Sequence, residues 1–234
     1  MPAIDRIKLT LVAHNLVPGV LLRRALRRNF AQWKRTKTGP LPHLLKQQTV
    51  RRYAAASGAR IFIETGTYYG FMLQACLDSF DRLISIELEP HFYSRARKIF
   101  EDCPKVTILN GDSAELLPEL LATMRCSCLF WLDAHFSGGL TGKGALETPI
   151  RQELEAVMRH GHRHTVLIDD ANCFDGTRGY PALEWIEELA QQRGYSVCSS
   201  DDIIRLIPKD WEKSFQDCAP PITATSGSTP KCES

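Results

Sequence analysis

From Arg60 onward the sequence alternates between short apolar runs and stretches with the periodicity of amphipathic helices. The apolar runs are too short for buried helices and have the length of strands in a buried sheet. Such alternation predicts βαβ units with right-handed crossovers, and therefore a parallel sheet. The predicted strands are 61–63, 83–86, 106–109, 128–132 and 165–168, and the predicted helices between them are 71–80, 91–100, 114–124 and 149–159.

The end of this pattern differs from its beginning. A further helix is predicted over 181–193, and two apolar runs, 195–199 and 203–207, follow it. Only Ser200-Asp201-Asp202 separates these two runs, and a connection this short permits only a hairpin of antiparallel strands. The sequence therefore predicts a single α/β, Rossmann-like domain: a mostly parallel seven-stranded sheet with a C-terminal antiparallel hairpin and helices on both faces.

Length and charge divide the chain into three parts. Its 234 residues suit one well-buried domain, and no apolar run reaches the length of a membrane span. Residues 1–40 carry nine basic residues against one acidic residue, a net charge of +8, whereas the whole chain carries only +2. We predict a partly helical basic arm over 1–40, the domain over 41–210, and a disordered Pro/Ser/Thr-rich tail over 211–234. Without a convincing cleavage site for a signal peptide, a cytoplasmic location is expected.

Acidic residues follow all five predicted parallel strands. In a doubly wound sheet these positions share the carboxyl edge, which is where ligands bind. Capping of the following helices would explain one or two of them, but not an acid after every strand. The pattern therefore predicts a ligand site at this edge, with these acids as its candidates: Glu64, Glu87, Asp112, Asp133 and the pair Asp169-Asp170.

The first of these acids opens a glycine-containing loop, Glu64-Thr65-Gly66-Thr67-Tyr68-Tyr69-Gly70. Glu87 lies 21 residues beyond Gly66, a spacing that suits hydrogen bonding to a ribose diol. A dinucleotide-binding loop would contain one glycine more. Because a carboxylate repels a pyrophosphate and attracts a cation, Glu64 favours a positively charged ligand over a dinucleotide.

Three segments, Glu64–Gly70, Ile84–Glu87 and Gly111–Ser113, resemble the successive cofactor motifs of class I S-adenosylmethionine (SAM)-dependent methyltransferases. The terminal hairpin is also typical of that family, so the resemblance covers about residues 60–208. It implies that the glycine loop holds the methionine part of SAM, that Glu87 holds the ribose, and that the third motif contacts the adenine. The cofactor-binding residues implied are Glu64, Gly66, Thr67, Tyr68, Gly70, Glu87, Asp112, Ser113 and Asp133.

The aspartates after the fourth and fifth strands carry a second resemblance. Asp133 together with Asp169 and Asp170 resembles the divalent-metal site of catechol O-methyltransferase and of macrocin-type sugar O-methyltransferases. The resemblance implies Mg²⁺, a cation that prefers oxygen ligands, and methyl transfer to a hydroxyl of a small molecule or sugar. The alternative is that Asp169 and Asp170 bind backbone amides of their own loop and that Asp133 serves the cofactor alone.

The general base is less well defined, because Phe136 occupies the position of the lysine found in catechol O-methyltransferase. His135 is the first candidate since it titrates near neutrality and lies two residues from Asp133. It could equally hold Asp133 in place by a hydrogen bond. Lys143 is the second candidate, in a long glycine-containing segment, 134–148, of the kind that often covers active sites. His160, His162 and His164 are predicted to be exposed loop residues at the opposite edge.

The basic arm leaves the choice of partners open. Arginines alternate with an apolar stripe at helical spacing, so residues 20–37 could make weak contact with an anionic membrane surface or pack on the domain with a solvated basic face. Nucleic acid is not expected as a partner, and a homo-oligomer stays open. Two rival functions remain: an NAD(P)-binding Rossmann oxidoreductase, and a non-catalytic binding module that acts through this arm.

Overall fold

A computed structural model of the chain describes residues 19–36, 41–133 and 148–218. The chain divides into two compact units, residues 1–49 and 50–234. The division therefore falls inside helix α2 (His43–Ser57) and not at residue 40. The first unit contains helix α1 (Gly19–Thr36), which agrees with a partly helical arm, and its Arg24, Arg27 and Arg28 are exposed. No helix in the described ranges is long and apolar enough to cross a membrane.

The second unit is built on one seven-stranded sheet with the strand order β3-β2-β1-β4-β5-β7-β6. Strands β1 to β5 pair in parallel, whereas β7 is antiparallel to both β5 and β6. The predicted parallel sheet and its terminal hairpin are therefore confirmed. The strands are β1 (Ile61–Thr65), β2 (Arg82–Glu87), β3 (Val106–Asn110), β4 (Leu129–Leu132), β5 (Thr165–Ile168), β6 (Tyr195–Ser200) and β7 (Ile203–Pro208).

The helices of this unit lie between the strands, as predicted. One of them is shorter than its pattern: the first ends at Cys76, although the periodicity continues to Phe80. The helices are α3 (Phe71–Cys76), α4 (Pro90–Ile99), α5 (Ser113–Thr123), α6 (Ile150–Arg159) and α7 (Leu183–Gln192), with short 3₁₀ helices at Ala171–Cys173 and Lys209–Cys218.

The core explains why the central strands read as continuous apolar runs. Ile63 of β1 belongs to one cluster of buried side chains with Phe130 of β4, while the alternate residue Phe62 is fully buried on the other face and contacts the Phe80 ring. A strand covered on both faces has no solvent-facing positions, so its sequence cannot alternate between apolar and polar residues. Helices α5, α6 and α7 contribute Leu117, Leu154 and Ile186 to the same cluster.

Two predictions about the opposite edge and the C-terminus need correction. The segment from residue 211 was predicted to be disordered, but the chain stays helical to Cys218 because Phe215 is buried against the Tyr53 ring, 5.3 Å between centroids. His164 was predicted to be exposed and is fully buried. Its Nδ1 accepts a hydrogen bond from the Cys128 amide at 3.0 Å, and its Nε2 donates to Nδ1 of His160 at 2.7 Å. Burial lowers the pKa of His164 to about 3.

Candidate active site

The loops that follow the parallel strands are joined by backbone hydrogen bonds at the carboxyl edge of the sheet. Beyond the ends of the strands, the Gly66 amide donates to the Ile86 carbonyl at 2.9 Å, and the Asp133 amide donates to the Thr65 carbonyl at 3.1 Å. The Asp169 amide donates in the same way to Leu132, also at 3.1 Å. The pattern of pairing thus continues past the strands and fixes the first residues of each loop relative to its neighbours.

The glycine loop turns tightly after β1. Gly66 and Gly70 have φ angles of 83° and 73°, in the left-handed region that glycine adopts at no steric cost. A Cβ on Gly70 would lie 3.0 Å from the Phe100 ring, so packing also requires glycine there. Tyr68, at φ 50°, has no such freedom. Its ring is 40% exposed and lies 4.8 Å from the Phe92 ring, between centroids.

Glu64 is held beneath this loop by a chain of hydroxyls. Its Oε2 accepts a hydrogen bond from the Ser85 hydroxyl at 2.7 Å, and the Ser85 oxygen lies 2.6 Å from that of Thr67. Because the Ser85 proton is used toward Glu64, the Thr67 hydroxyl is the donor of the second bond. Burial raises the pKa of Glu64 well above its usual value, against the Ser85 bond, and the charges of Asp133 and Glu87 raise it further.

Glu87 joins the glycine loop to the start of helix α4. Its Oε2 accepts a hydrogen bond from the Tyr68 amide at 2.7 Å, and its Oε1 accepts one from the Glu89 amide at 2.9 Å. Burial raises the pKa of Glu87, and the two amides oppose that change. Each carboxylate oxygen has a second lone pair, so the group can still accept hydrogen bonds from a ligand.

Asp112 caps helix α5. Its Oδ1 accepts a hydrogen bond from the Ala114 amide at 2.9 Å, which is the usual bond of an N-terminal cap. The capping explanation therefore applies to Asp112, while Glu64 and Glu87 make other contacts. The next residue, Ser113, is buried in the first turn of the helix.

One buried acid of this edge was missed by the sequence interpretation. Glu153, in helix α6, is 1% exposed. The hydroxyls of Ser113 and Thr65 approach its carboxyl without reaching full hydrogen-bond geometry. Burial raises its pKa to about 7; the two hydroxyls oppose this rise, and the charges of Asp112 and Asp133 add to it. The signal was the helical spacing, which puts residue 153 on the same face as the buried Ile150, Leu154 and Val157.

The three predicted metal ligands lie at two neighbouring strand ends. Asp133 and Asp169 directly follow Leu132 and Ile168, which are partners in the β4–β5 ladder. Asp170 comes next, in the left-handed conformation with φ 55° and ψ 46°. Among the described residues, however, no three side chains of the metal-binding types are arranged to hold one ion. The Mg²⁺ site therefore stays a prediction.

The remaining predicted site residues fall into two groups, those that the structure describes and those that it does not. Gly66, Thr67, Tyr68 and Gly70 lie together in the glycine loop beside Glu87. His135 and Lys143 lie outside the described residues, so their predicted roles stay predictions.

Comparison with solved structures identifies the fold. A candidate caffeoyl-CoA O-methyltransferase from Staphylococcus aureus is 13% identical with a TM-score of 0.53, over 87% of this chain and 99% of that one. The O-methyltransferase TomG of Streptomyces achromogenes, involved in tomaymycin synthesis and solved with SAM, is 16% identical with a TM-score of 0.50, over 69% and 79%. No protein-family model and no curated protein sequence matches. The chain has the class I methyltransferase fold.

Glu153 generates a testable pH dependence. A carboxyl whose pKa is 4.5 when unfolded and about 7 when folded stabilises the fold below pH 4.5. This contribution is lost as the pH rises through about 7, and it amounts to about 3 kcal/mol. Glu153→Gln, a neutral substitute of the same shape, should lack this loss. We expect denaturant unfolding to show that the Gln variant gains stability relative to wild type between pH 4.5 and about pH 8.

The exposed Glu119 on helix α5 supplies the control. Glu119→Gln should leave the wild-type pH dependence unchanged. Parallel stability curves for wild type and Glu153→Gln would show that the Glu153 carboxyl is not the titrating group.

Proposed function

We propose that this chain is a SAM-dependent methyltransferase that transfers a methyl group to a hydroxyl oxygen of a small molecule or sugar, with assistance from Mg²⁺. The observation that carries the proposal is the pair of buried carboxyls, Glu64 and Glu87, on either side of the glycine loop. The loop follows β1, which lies between β2 and β4 where the strand order reverses. In open α/β sheets this is where ligands bind.

The strand order argues against the rival oxidoreductase. The dinucleotide-binding sheet has the order 3-2-1-4-5-6. Here β7 is inserted antiparallel between β5 and β6. The buried Glu64 adds to this argument, because a negatively charged pyrophosphate over the glycine loop would lie close to a carboxyl.

The charge of the edge suits SAM, whose sulfonium and ammonium are both positive. Glu64 is 1% exposed, so a bound cation would not touch it directly and would instead favour its ionised form. Asp133 lies near enough to raise the pKa of Glu64, as Glu87 does. A cation bound here would relieve the repulsion between these carboxylates, and that relief would contribute to its affinity.

Within this proposal, catalysis is mainly a matter of position. The acceptor oxygen forms a bond to the methyl carbon while the carbon–sulfur bond of SAM breaks, leaving S-adenosylhomocysteine (SAH), and the hydroxyl proton goes to a base. Alignment of two bound reactants can remove about 7–11 kcal/mol of the barrier. Asp133 and Asp169, at adjacent strand ends, are the groups that would face the acceptor.

The base and the metal are the finer parts of the proposal. A neutral His135 would accept the proton, and Lys143 is the alternative. Mg²⁺, where it binds, would favour the deprotonated acceptor oxygen. Binding would require Asp133, Asp169 and Asp170 to move closer together, because they do not form a three-ligand set as described.

Loss of Glu87 should weaken binding of SAM. Its carboxylate is expected to accept hydrogen bonds from the ribose, and losing such a partner costs about ten- to a hundredfold in affinity. Calorimetric titration of Glu87→Ala with SAM checks this. Glu101→Ala, which removes an exposed carboxylate after helix α4, is the control and should bind SAM like wild type. Equal affinities for all three proteins would refute the assignment of Glu87.

The function itself is tested by a screen for SAH production with sugars, phenols and peptides, with Mg²⁺ and with EDTA. We expect SAH with hydroxyl acceptors, loss of activity in EDTA, and recovery with Mg²⁺ or Mn²⁺. Full activity in EDTA would remove the metal and leave a metal-free methyltransferase. No binding of SAM or SAH would refute the methyltransferase. Salt-dependent binding to anionic vesicles or nucleic acid would then favour the binding module with a basic arm.

The role of His135 is separated by a Mg²⁺ titration of His135→Ala. As the general base, His135 should contribute about 10²–10⁴-fold to kcat, and added Mg²⁺ should not restore it. As a group that only orients Asp133, its loss should weaken Mg²⁺ binding by about 10–100-fold, with activity returning at high metal. Wild-type kcat at saturating Mg²⁺ would exclude His135 as the base and point to Lys143.

A further inference from the structure

The turn between β6 and β7 is formed by two aspartates that have different contacts. Ser200 and Ile203 are partners in the hairpin ladder, so Asp201 and Asp202 alone form the turn. Both have positive φ angles, 48° and 56°. Two-residue turns of this kind favour glycine, asparagine and aspartate, which enter the left-handed region most readily. Both aspartates therefore suit the turn, and their contacts show what else each of them does.

A buried arginine forms hydrogen bonds to both ends of this turn. Arg205 of β7 is 2% exposed. Its Nη1 donates to the Ser200 carbonyl and hydroxyl, both at 2.7 Å, and to the Ile203 carbonyl at 2.8 Å. All three acceptors are uncharged, and they flank the turn on both sides. The arginine therefore joins the two ends of the turn and stabilises the left-handed conformation between them.

Asp202 uses this conformation to bind the loop that follows β5. Its carbonyl oxygen accepts a hydrogen bond from the Ala171 amide at 3.0 Å, and its Oδ1 accepts one from the Asn172 amide at 2.9 Å. These amides directly follow Asp169 and Asp170, and Asp170 itself is left-handed at φ 55°. The loop at the end of β5 is thus hydrogen-bonded to the turn of the hairpin.

Asp201 is the natural residue to compare with Asp202. It occupies the other position of the same turn, is exposed, and has a similar φ angle. The bonds to Ala171 and Asn172 come from Asp202 alone. The bonds to the loop after β5, and not the backbone conformation, therefore distinguish Asp202 from Asp201.

We propose that Asp202 is a positioning residue that fixes the Asp169-Asp170 loop on the acceptor side of the site. Arg205 supports it by joining the two ends of its turn. This inference rests on the proposed function, in which these aspartates face the methyl acceptor. The charged Oδ1 of Asp202 sets the conformation of residues 170–172, and the hairpin thereby becomes part of the site. Binding of SAM does not depend on it, because Glu64, Glu87 and the glycine loop lie at other strand ends.

The experiment compares Asp202→Gly with Asp201→Gly. Glycine suits both turn positions, so both variants should fold, and thermal unfolding checks this. Only Asp202→Gly removes the acceptor for Asn172. Asp202→Asn, which keeps an oxygen acceptor and tolerates the left-handed region, is the conservative rescue. Three measurements apply to each protein: amide exchange by NMR, calorimetry with SAH, and steady-state kinetics with the acceptor that gives the most SAH in the screen.

We expect the Asn172 amide of Asp202→Gly to exchange about tenfold faster or more, as follows from losing a charge-assisted hydrogen bond. The kcat/KM for the acceptor should fall about 10–100-fold, the usual effect of losing a group that orients an active-site residue. Affinity for SAH should be unchanged. Asp201→Gly should match wild type in all three measurements, and Asp202→Asn should recover most of both losses.

Two results would overturn the inference. One is unchanged exchange at Asn172 in Asp202→Gly. The other is faster exchange with acceptor kinetics equal to those of Asp201→Gly, which would make the contact purely structural. A wild-type protein that binds no SAH and turns over no acceptor would instead refute the proposed function, while the exchange data would still decide whether Asp202 holds the loop.

Discussion

The parallel pairing of β1 with β2 on one side and β4 on the other is the constraint on which the site depends. Ile63 is aligned with Ile84 in one neighbour and with Phe130 in the other, so the three strands end at the same level. The chain leaves β1 toward β2 and β3, and it returns later to β4 on the other side. In open α/β sheets the loops separate at such a reversal, and ligands bind in the crevice between them.

Bringing these carboxyls together has an energetic consequence. Burial raises the pKa values of Glu64, Glu87 and Glu153, which means that their ionised forms are less stable here than in water. Hydroxyls and amides reduce the free-energy cost of ionising these buried carboxyls without removing it, and the stability of the apolar core offsets what remains. A site of this kind gains stability from any ligand that supplies positive charge, because such a ligand favours the ionised carboxyls only in the folded state.

Most of the fold could be predicted from the sequence because buried parallel strands must be apolar throughout, and because three residues can join two strands only as a hairpin. The boundaries were less accurate: the pattern of α3 runs to Phe80, but the helix ends at Cys76. The polar composition after residue 210 concealed Phe215, whose burial against Tyr53 orders the segment. Contacts between residues so distant in sequence leave no local signal.

The site was predictable to the same extent. Acids that follow strands could be predicted to lie together because strand ends share an edge, and Glu64 and Glu87 do lie beside the glycine loop. Glu153 was missed because it reaches that edge from inside a helix, where a single acid on an apolar face looks like an interruption of the pattern. Asp112 was read as an adenine contact, and its bond to the Ala114 amide shows that one carboxylate can also cap a helix. His164 was misread because a polar loop composition does not show that the Cys128 amide needs a buried acceptor.

The carboxyl edge of the sheet has two sides, and different contacts hold them in place. The two sides should therefore differ in how well they tolerate substitutions. On the side of Glu64 and Glu87, carboxyls are held by hydroxyls and amides of the parallel strands and their first loop. On the side of Asp169, the loop is held from outside by Asp202 in a turn at the surface. A turn can change its sequence without unfolding the sheet, whereas Ser85 cannot change without leaving Glu64 unpaired in the core. Under the proposed function, the acceptor side could therefore change while the cofactor side is kept, because the two sets of contacts share no side chain.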